Sequence, residues 1–222
     1  MLEFCYYGDL GGVLKRERRF TEEVARKYLC QIIMAIEHLH SKNILYRDLK
    51  PDNILLGHNG NVKLTDFGLS KKDTDNYYSS KSFCGTLAYL APEMFLETGY
   101  GKVIDWYCVG AVFYEFLVGS PPYYDSDFNQ MKYNIQHGGL KQRKDLTDNA
   151  KDLIIKLLTR QPPLRLGANG AQEVKDHPFF NGIDWNIFTY KTPSGEFDNE
   201  RANYIMPPCR QTKFTRKMKE EA

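Results

Sequence analysis

Tyr46-Arg47-Asp48-Leu49-Lys50-Pro51-Asp52-Asn53 is the stretch on which the reading of this chain turns. It crowds acids, bases and an amide between two different kinds of secondary structure. Upstream, Val24, Tyr28, Leu29, Ile32, Ile33, Ile36 and Leu39 recur at helical spacing and predict a helix over Thr21–His40. Thr21 is its expected cap, and Glu22 and Glu23 suit the positive end of its dipole. Downstream, Ile54-Leu55-Leu56 and Val62-Lys63-Leu64 flank the turn-rich Gly57-His58-Asn59-Gly60, which predicts a β-hairpin. Asp66-Phe67-Gly68 follows that hairpin, and Ala91-Pro92-Glu93 stands further on. Residues 68–90, rich in Ser, Tyr and Lys, are expected to form a long surface loop. Val103 to Val118 is apolar nearly all round, hence a central helix, with Pro121-Pro122 as its expected stop. Weaker helical patterns cover 127–137, 149–158 and 171–176. The fold class expected is mainly α (α+β): a helical bundle with one small hairpin beside the quoted loop.

Composition removes several classes. The 222 residues are 42% hydrophobic and 26% charged, which describes a globular chain long enough to bury its own core and excludes a wholly disordered, collagenous or coiled-coil one. Thirty Lys and Arg against 28 Asp and Glu leave a net charge of +2, so no nucleic-acid partner is expected. The basic C-terminus (Arg210, Lys213, Arg216, Lys217, Lys219) reads as a solvated tail. Cys5, Cys30, Cys84, Cys108 and Cys209 are odd in number and contain no C-x-x-C. That argues against a disulfide framework or zinc site and for a reducing, cytoplasmic (intracellular) setting. No basic-then-apolar leader pattern is visible at the start, so a secretory signal is not expected. The longest apolar stretch, Cys108 to Gly119, is too short for a transmembrane segment.

R-D-L-x-x-x-N, D-F-G and A-P-E, in this order, form the known signature set of protein kinases. From about Leu2 to Phe180 the chain resembles the C-terminal lobe of a eukaryotic protein kinase, and Lys50 two residues after Asp48 resembles the serine/threonine type. Ser82-Phe83-Cys84-Gly85-Thr86, Arg165-Leu166-Gly167 and His177-Pro178-Phe179-Phe180 resemble the AGC group. The resemblance implies residues 1–180 as hinge and C-lobe, and 181–222 as an AGC-like extension, poorly ordered in part. It implies ATP and Mg²⁺ as cofactors, proteins with Ser/Thr acceptors as substrates, and an upstream activating kinase as a partner.

Phosphoryl transfer is mostly positioning and charge neutralisation, which explains the residue types. Asp48 would orient the attacking hydroxyl and take its proton; Lys50 would neutralise the moving group. Asn53 and Asp66 offer the hard oxygens magnesium prefers, and the hairpin would bring both to one cleft edge. By resemblance, Thr86 bonds Asp48 and Lys50; Glu93 and Arg165 form a buried ion pair; Asp105 holds the catalytic-loop backbone. Ser82 is the implied phosphosite, with Arg47 and Lys71 as partners for its phosphate. Leu2, Glu3 and Cys5 resemble the hinge, Asp9 the ribose contact and Leu55 the adenine floor. Asp9, Asp52 and Glu115 match positions that pair with arginines preceding the phosphoacceptor.

The chain also departs from the family pattern. Tyr46 replaces the usual His before Arg-Asp, Leu87-Ala88 replace Pro-Glu, and Tyr107-Cys108 replace Trp-Ser. No glycine-rich phosphate loop or strand lysine precedes Met1-Leu2, so the N-terminal lobe is expected to be missing and the chain alone inactive. Two readings follow: a partial domain of an active kinase, or a non-catalytic C-lobe module that docks substrates or regulators. The presence of Asp48, Lys50, Asn53 and Asp66 favours the first.

Overall fold

The computed structural model describes residues 5, 7–57, 60–72, 84–96, 99–141 and 143–188. The helix expected over 21–40 is α2, Glu22–Ser41, and the Thr21 hydroxyl accepts from the Val24 N–H at 3.3 Å. Its buried stripe is Ala25, Leu29, Cys30, Ile32, Ile33 and Ile36, the apolar face that the spacing requires. Burial pushes the Cys30 thiol up to about 12, which makes it an inert packing residue. The central helix is α3, Val103–Val118, in which thirteen of sixteen residues are buried. A helix buried on all sides must be approached closely, and Gly110 permits it: a Cβ there would lie 2.7 Å from the Cβ of Leu157.

Leu157 closes α5, Asp148–Leu157, which Thr147 caps through the Ala150 N–H at 3.2 Å. α4, Phe128–His137, is capped by Asp127 through the Gln130 N–H at 2.7 Å. Thus Asp127 and Thr147 stand at the helix boundaries because their side chains compete for the first free N–H groups. α6 is Ala171–Lys175. The N-terminal residues form α1, Leu10–Glu17, capped by Asp9.

Two expectations are corrected. α3 ends at Gly119, in the left-handed region at φ 92°, whose N–H donates to the Glu115 carbonyl at 2.7 Å; Pro121 lies beyond the end already made. Glycine is required there twice over, because a Cβ would sit 2.3 Å from the Arg18 carbonyl oxygen. The second correction concerns 68–90, which is not uniformly a surface loop. With β1 at Ile44–Leu45, β2 at Ile54–Leu56 and β3 at Val62–Leu64, Lys71–Lys72 form β4, antiparallel to β1 with Leu45 opposite Lys71. Ala88, Tyr89 and Leu90 are buried. Polar composition hid both features, since a two-residue strand carries no periodicity and a short apolar run reads as chance.

The expected hairpin is β2–β3, with Ile54 opposite Leu64 and Leu56 opposite Val62. The chain divides after Asn181 into two units, and of the second only residues 182–188 are described, Trp185–Phe188 being a 3₁₀ turn. No helix among the described residues is long and apolar enough to cross a membrane.

Candidate active site

The site is built on a buried carboxylate. Asp105, in the first turn of α3 and fully buried, accepts the backbone N–H groups of Tyr46 at 3.0 Å and Arg47 at 2.9 Å. His40, at the end of α2, donates Nε2–H to the same carboxylate at 2.8 Å. Arg47 needs this support, because it sits in the left-handed region at φ 71°, which costs a non-glycine residue of order 1–3 kcal/mol. Two charge-assisted bonds to a desolvated carboxylate suffice to hold it. The Arg47 side chain then bonds the Leu69 carbonyl at 2.6 Å and the Tyr100 hydroxyl at 3.2 Å, tying the loop to the segment after Gly68.

Asp48 follows, with a side chain only 6% exposed and both oxygens engaged. Oδ1 accepts from the Thr86 N–H and hydroxyl, each at 3.2 Å. Oδ2 accepts from Lys50 Nζ at 2.9 Å and Asn53 Nδ2 at 2.8 Å. Lys50 also donates to the Thr86 hydroxyl at 2.9 Å. Thr86 reaches Asp48 because Gly85 adopts φ 102° in a space where a Cβ would meet the Arg47 carbonyl at 2.9 Å. A carboxylate fixed by four donors cannot rotate, and it presents its charge at one place.

The Asn53 amide nitrogen also donates to the Asp48 carbonyl, at 2.8 Å. With the nitrogen so committed, Oδ1 is the atom left to ligate a cation. The hairpin brings Asp66 back as the spacing requires, since the Thr65 N–H donates to the Asn53 carbonyl at 3.1 Å. Asp66 is exposed at φ 56°, and its Oδ1 accepts from the Gly68 N–H at 3.2 Å. No group of three His, Cys, Asp or Glu among the described residues could enclose a metal by itself. An amide oxygen and one carboxylate fit a magnesium ion that keeps other oxygens, from water or phosphate.

Tyr46 donates its hydroxyl to the Thr65 carbonyl, and its ring meets Phe67 edge-on at 5.4 Å. It thereby grips both neighbours of Asp66. Burial, with the charges of Asp48 and Asp66 adding, holds this hydroxyl protonated well above the usual tyrosine range.

The acids expected to read basic residues also gather. Asp9 and Asp52 both border Gly11, and Asp52's charge acts on Glu115. Glu115 lies mostly buried and accepts from the Tyr89 hydroxyl at 2.6 Å. Burial raises its carboxyl above the usual range, opposed by the Tyr89 bond and reinforced by Asp52. Lys15 approaches Asp52 at 3.8 Å on the surface. Leu55 is half-buried on the hairpin face opposite the buried Ile54 and Leu56, and its backbone bridges Asp9. Cys5 is half-exposed. Leu2, Glu3 and Ser82 lie outside the described residues; Lys71, on β4, is one pairing from the loop that begins after Leu45. Glu93 and Arg165 meet in the interior through paired bonds of 2.6 and 2.8 Å.

Sequence reasoning missed His40 and Tyr100, and it quoted Gly85 only as part of the 82–86 stretch without its role in bringing Thr86 to Asp48. His40 stands at the end of a strong helical pattern, and nothing local marks its partner 65 residues away.

Residues 1–180 match the family model described as "Protein kinase domain". The chain is 45% identical over 185 residues to the serine/threonine-protein kinase gad8 of Schizosaccharomyces pombe, covering 83% of this chain and 32% of that protein. It is 44% identical over 189 residues to the ribosomal protein S6 kinase beta of Caenorhabditis elegans, covering 84% and 34%. Against the serine/threonine-protein kinase Sgk2 of Homo sapiens it is 44% identical over 199 residues, covering 89% and 54%. The chain thus spans about a third to a half of the length of these relatives.

Proposed function

Because this chain belongs to the protein kinase family, with serine/threonine kinases among its relatives, we propose that it carries the phosphoacceptor side of an AGC-type active site. The reaction is transfer of a phosphoryl group from Mg²⁺–ATP to a Ser or Thr hydroxyl of a protein. The observation that carries this reading is the Asp48 carboxylate fixed by Thr86, Lys50 and Asn53 on a loop held by Asp105.

In this reading Asp48 orients the acceptor hydroxyl and receives its proton. Its engaged oxygens keep it in one position, so the cost of orienting it is met on folding. Lys50, held between Asp48 and Thr86, places a positive charge beside the reacting centre. Asn53 Oδ1 and the Asp66 carboxylate would hold a magnesium ion, and Leu55 would give an apolar face to the adenine. When bound, Mg²⁺–ATP supplies the phosphoryl group and the cation that neutralises it. Arg47 and Lys71 are proposed to receive a phosphate on Ser82 installed by an upstream kinase. Asp9, Asp52 and Glu115 read basic residues before the acceptor, and an arriving guanidinium offsets the cost of ionising the partly buried Glu115. Residues 1–180 are read as hinge and C-lobe and 181–222 as an AGC-type extension. A docking module without chemistry would have no use for a carboxylate this tightly oriented.

The test is steady-state phosphorylation of a serine peptide by the full-length protein. Asp48→Asn is expected to lower kcat by about 10²–10⁴-fold with nucleotide affinity retained, while Asp66→Asn abolishes Mg²⁺-dependent nucleotide binding. Wild-type turnover by either variant would overturn the assignments.

A further inference from the structure

A cavity of about 250 Å³ opens beside Glu93. Its apolar wall is Tyr100 and Val103, before and at the start of α3, with Pro162, Pro163 and Ala168 from the connection between α5 and α6. Its polar groups come from Glu93 and Asn169. Asp48, Lys50, Asn53 and Asp66 do not line it, so it is separate from the site of phosphoryl transfer.

The walls are fixed before any ligand arrives. Pro162 and Pro163 stand in the 3₁₀ turn Pro162–Leu164, where their rings lock φ. Glu173 accepts the N–H groups of Gly167 at 3.0 Å and Asn169 at 3.2 Å, which holds the next part of the connection. Tyr100 is only 2% exposed, and its hydroxyl accepts from Arg47 Nη1 at 3.2 Å, so its ring is anchored on the catalytic loop. A preformed wall spares a ligand the cost of ordering it.

Charge and hydrogen bonding select the occupant. Among the described residues Glu93 is the charged group on the wall, and both its oxygens are paired with Arg165, which also donates to the Val103 carbonyl. A charged guest would therefore give up its water without gaining a counter-ion. The Asn169 amide nitrogen donates to the Glu173 carboxylate, which leaves the amide oxygen as the acceptor. An aromatic guest suits Tyr100, because ring pairs gain beyond the area they bury. An apolar cavity of about 150 Å³ holds benzene, so this one has room for two fused rings.

We infer that this cavity is a binding site for a small, uncharged aromatic heterocycle of the size of indole, seated between Tyr100 and the two prolines with its N–H on the Asn169 amide oxygen. The guest meets the side chain that holds Arg47, so its binding and the geometry of the catalytic loop are linked, each acting on the other by the same factor.

The experiment is a saturation-transfer NMR titration of the full-length protein with indole, benzofuran, tryptamine and N-acetyltryptophanamide. Indole is expected to bind saturably. Benzofuran has the same shape without the N–H and should bind about three- to tenfold more weakly, the worth of one neutral hydrogen bond. Tryptamine carries a cation and N-acetyltryptophanamide carries two peptide groups that the wall does not pair, so both should be weaker than indole. Ala168→Leu grows into the cavity and should abolish binding, with a thermal melt verifying the fold. If that variant does not fold, Asn169→Ala, at an exposed position, serves instead and should bind indole and benzofuran alike. Tyr100→Phe keeps the ring but frees it from Arg47 and should weaken indole about fivefold. Absence of saturable indole binding, or binding untouched in folded Ala168→Leu, overturns the site. Equal affinity for benzofuran in wild type overturns the Asn169 contact and the ligand class with it, as does tighter binding of tryptamine. Tighter binding of N-acetyltryptophanamide assigns the cavity to a protein's tryptophan and overturns the free heterocycle. Unchanged indole affinity in Tyr100→Phe overturns the link to the catalytic loop.

Discussion

Arg165→Leu is the substitution with the largest calculable consequence. The guanidinium is fully buried, and Glu93, its partner, keeps only 6% of its side chain exposed. Two parallel bonds of 2.6 and 2.8 Å join them. The same guanidinium donates to the carbonyls of Thr159 at 2.8 Å and Val103 at 3.1 Å, and lies 5.1 Å over the ring of Tyr107. Leucine fills part of the volume but leaves the Glu93 carboxylate desolvated and without its counter-ion. Breaking a buried pair from one side costs about 3–5 kcal/mol. Deserting two carbonyls adds to this, so the total approaches much of the ~5–15 kcal/mol that holds an average domain together. Urea unfolding followed by tryptophan fluorescence should show the midpoint fall steeply or the transition vanish. Glu93→Gln with Arg165→Met is the diagnostic partner. With both charges gone no ion is buried, and the double variant should be more stable than Arg165→Leu alone. Loss of under 1 kcal/mol in the single variant would refute the claim that this pair, rather than the surrounding packing, ties the segment after Pro92 to the body of the domain.

Other perturbations test separate links. His40→Ala removes one of three donors to Asp105 and should destabilise by about 1.5–3 kcal/mol, with His40→Gln recovering part; equal stability of Ala and Gln would show that the hydrogen bond is irrelevant. Among the described residues the buried Tyr107 hydroxyl meets no hydrogen-bond partner, so Tyr107→Phe should leave chemical stability unchanged or raised by about 1 kcal/mol, and a clear loss would reveal a partner. Asp152 accepts from Lys156 at 2.7 Å and His177 at 2.9 Å, and the Lys156 bond above all holds its carboxyl below the ordinary range. A depressed carboxylate contributes stability that is present above its unfolded pKa and is lost as pH falls through the lower folded value. Denaturation midpoints taken between pH 6 and pH 2 should therefore decline less steeply in Asp152→Asn than in wild type; parallel curves would remove Asp152 from the acid response.

The sequence by itself determined α2, α3 and the hairpin, because each announces itself locally. A helical stripe from Val24 to Leu39 can bury only one way, and an all-apolar helix has no place but the centre. It also placed Asp48, Asn53 and Asp66 on one side of the hairpin, since a short antiparallel pair must return the chain to where it left. The tertiary structure decided what depends on contacts far apart along the chain. That Asp105 grips the backbone of Arg47, that His40 supports it, and that Tyr100 meets the Arg47 side chain follow from α2 and α3 packing side by side. No local pattern encodes those pairs. The same holds for β4, whose two residues become a strand only because β1 offers an unpaired edge, and for Gly11, an ordinary helix residue until Asp52 arrives beside it. Local order is written in periodicity and capping over a few residues, whereas a charged side chain acquires its role from the groups that desolvate and pair it.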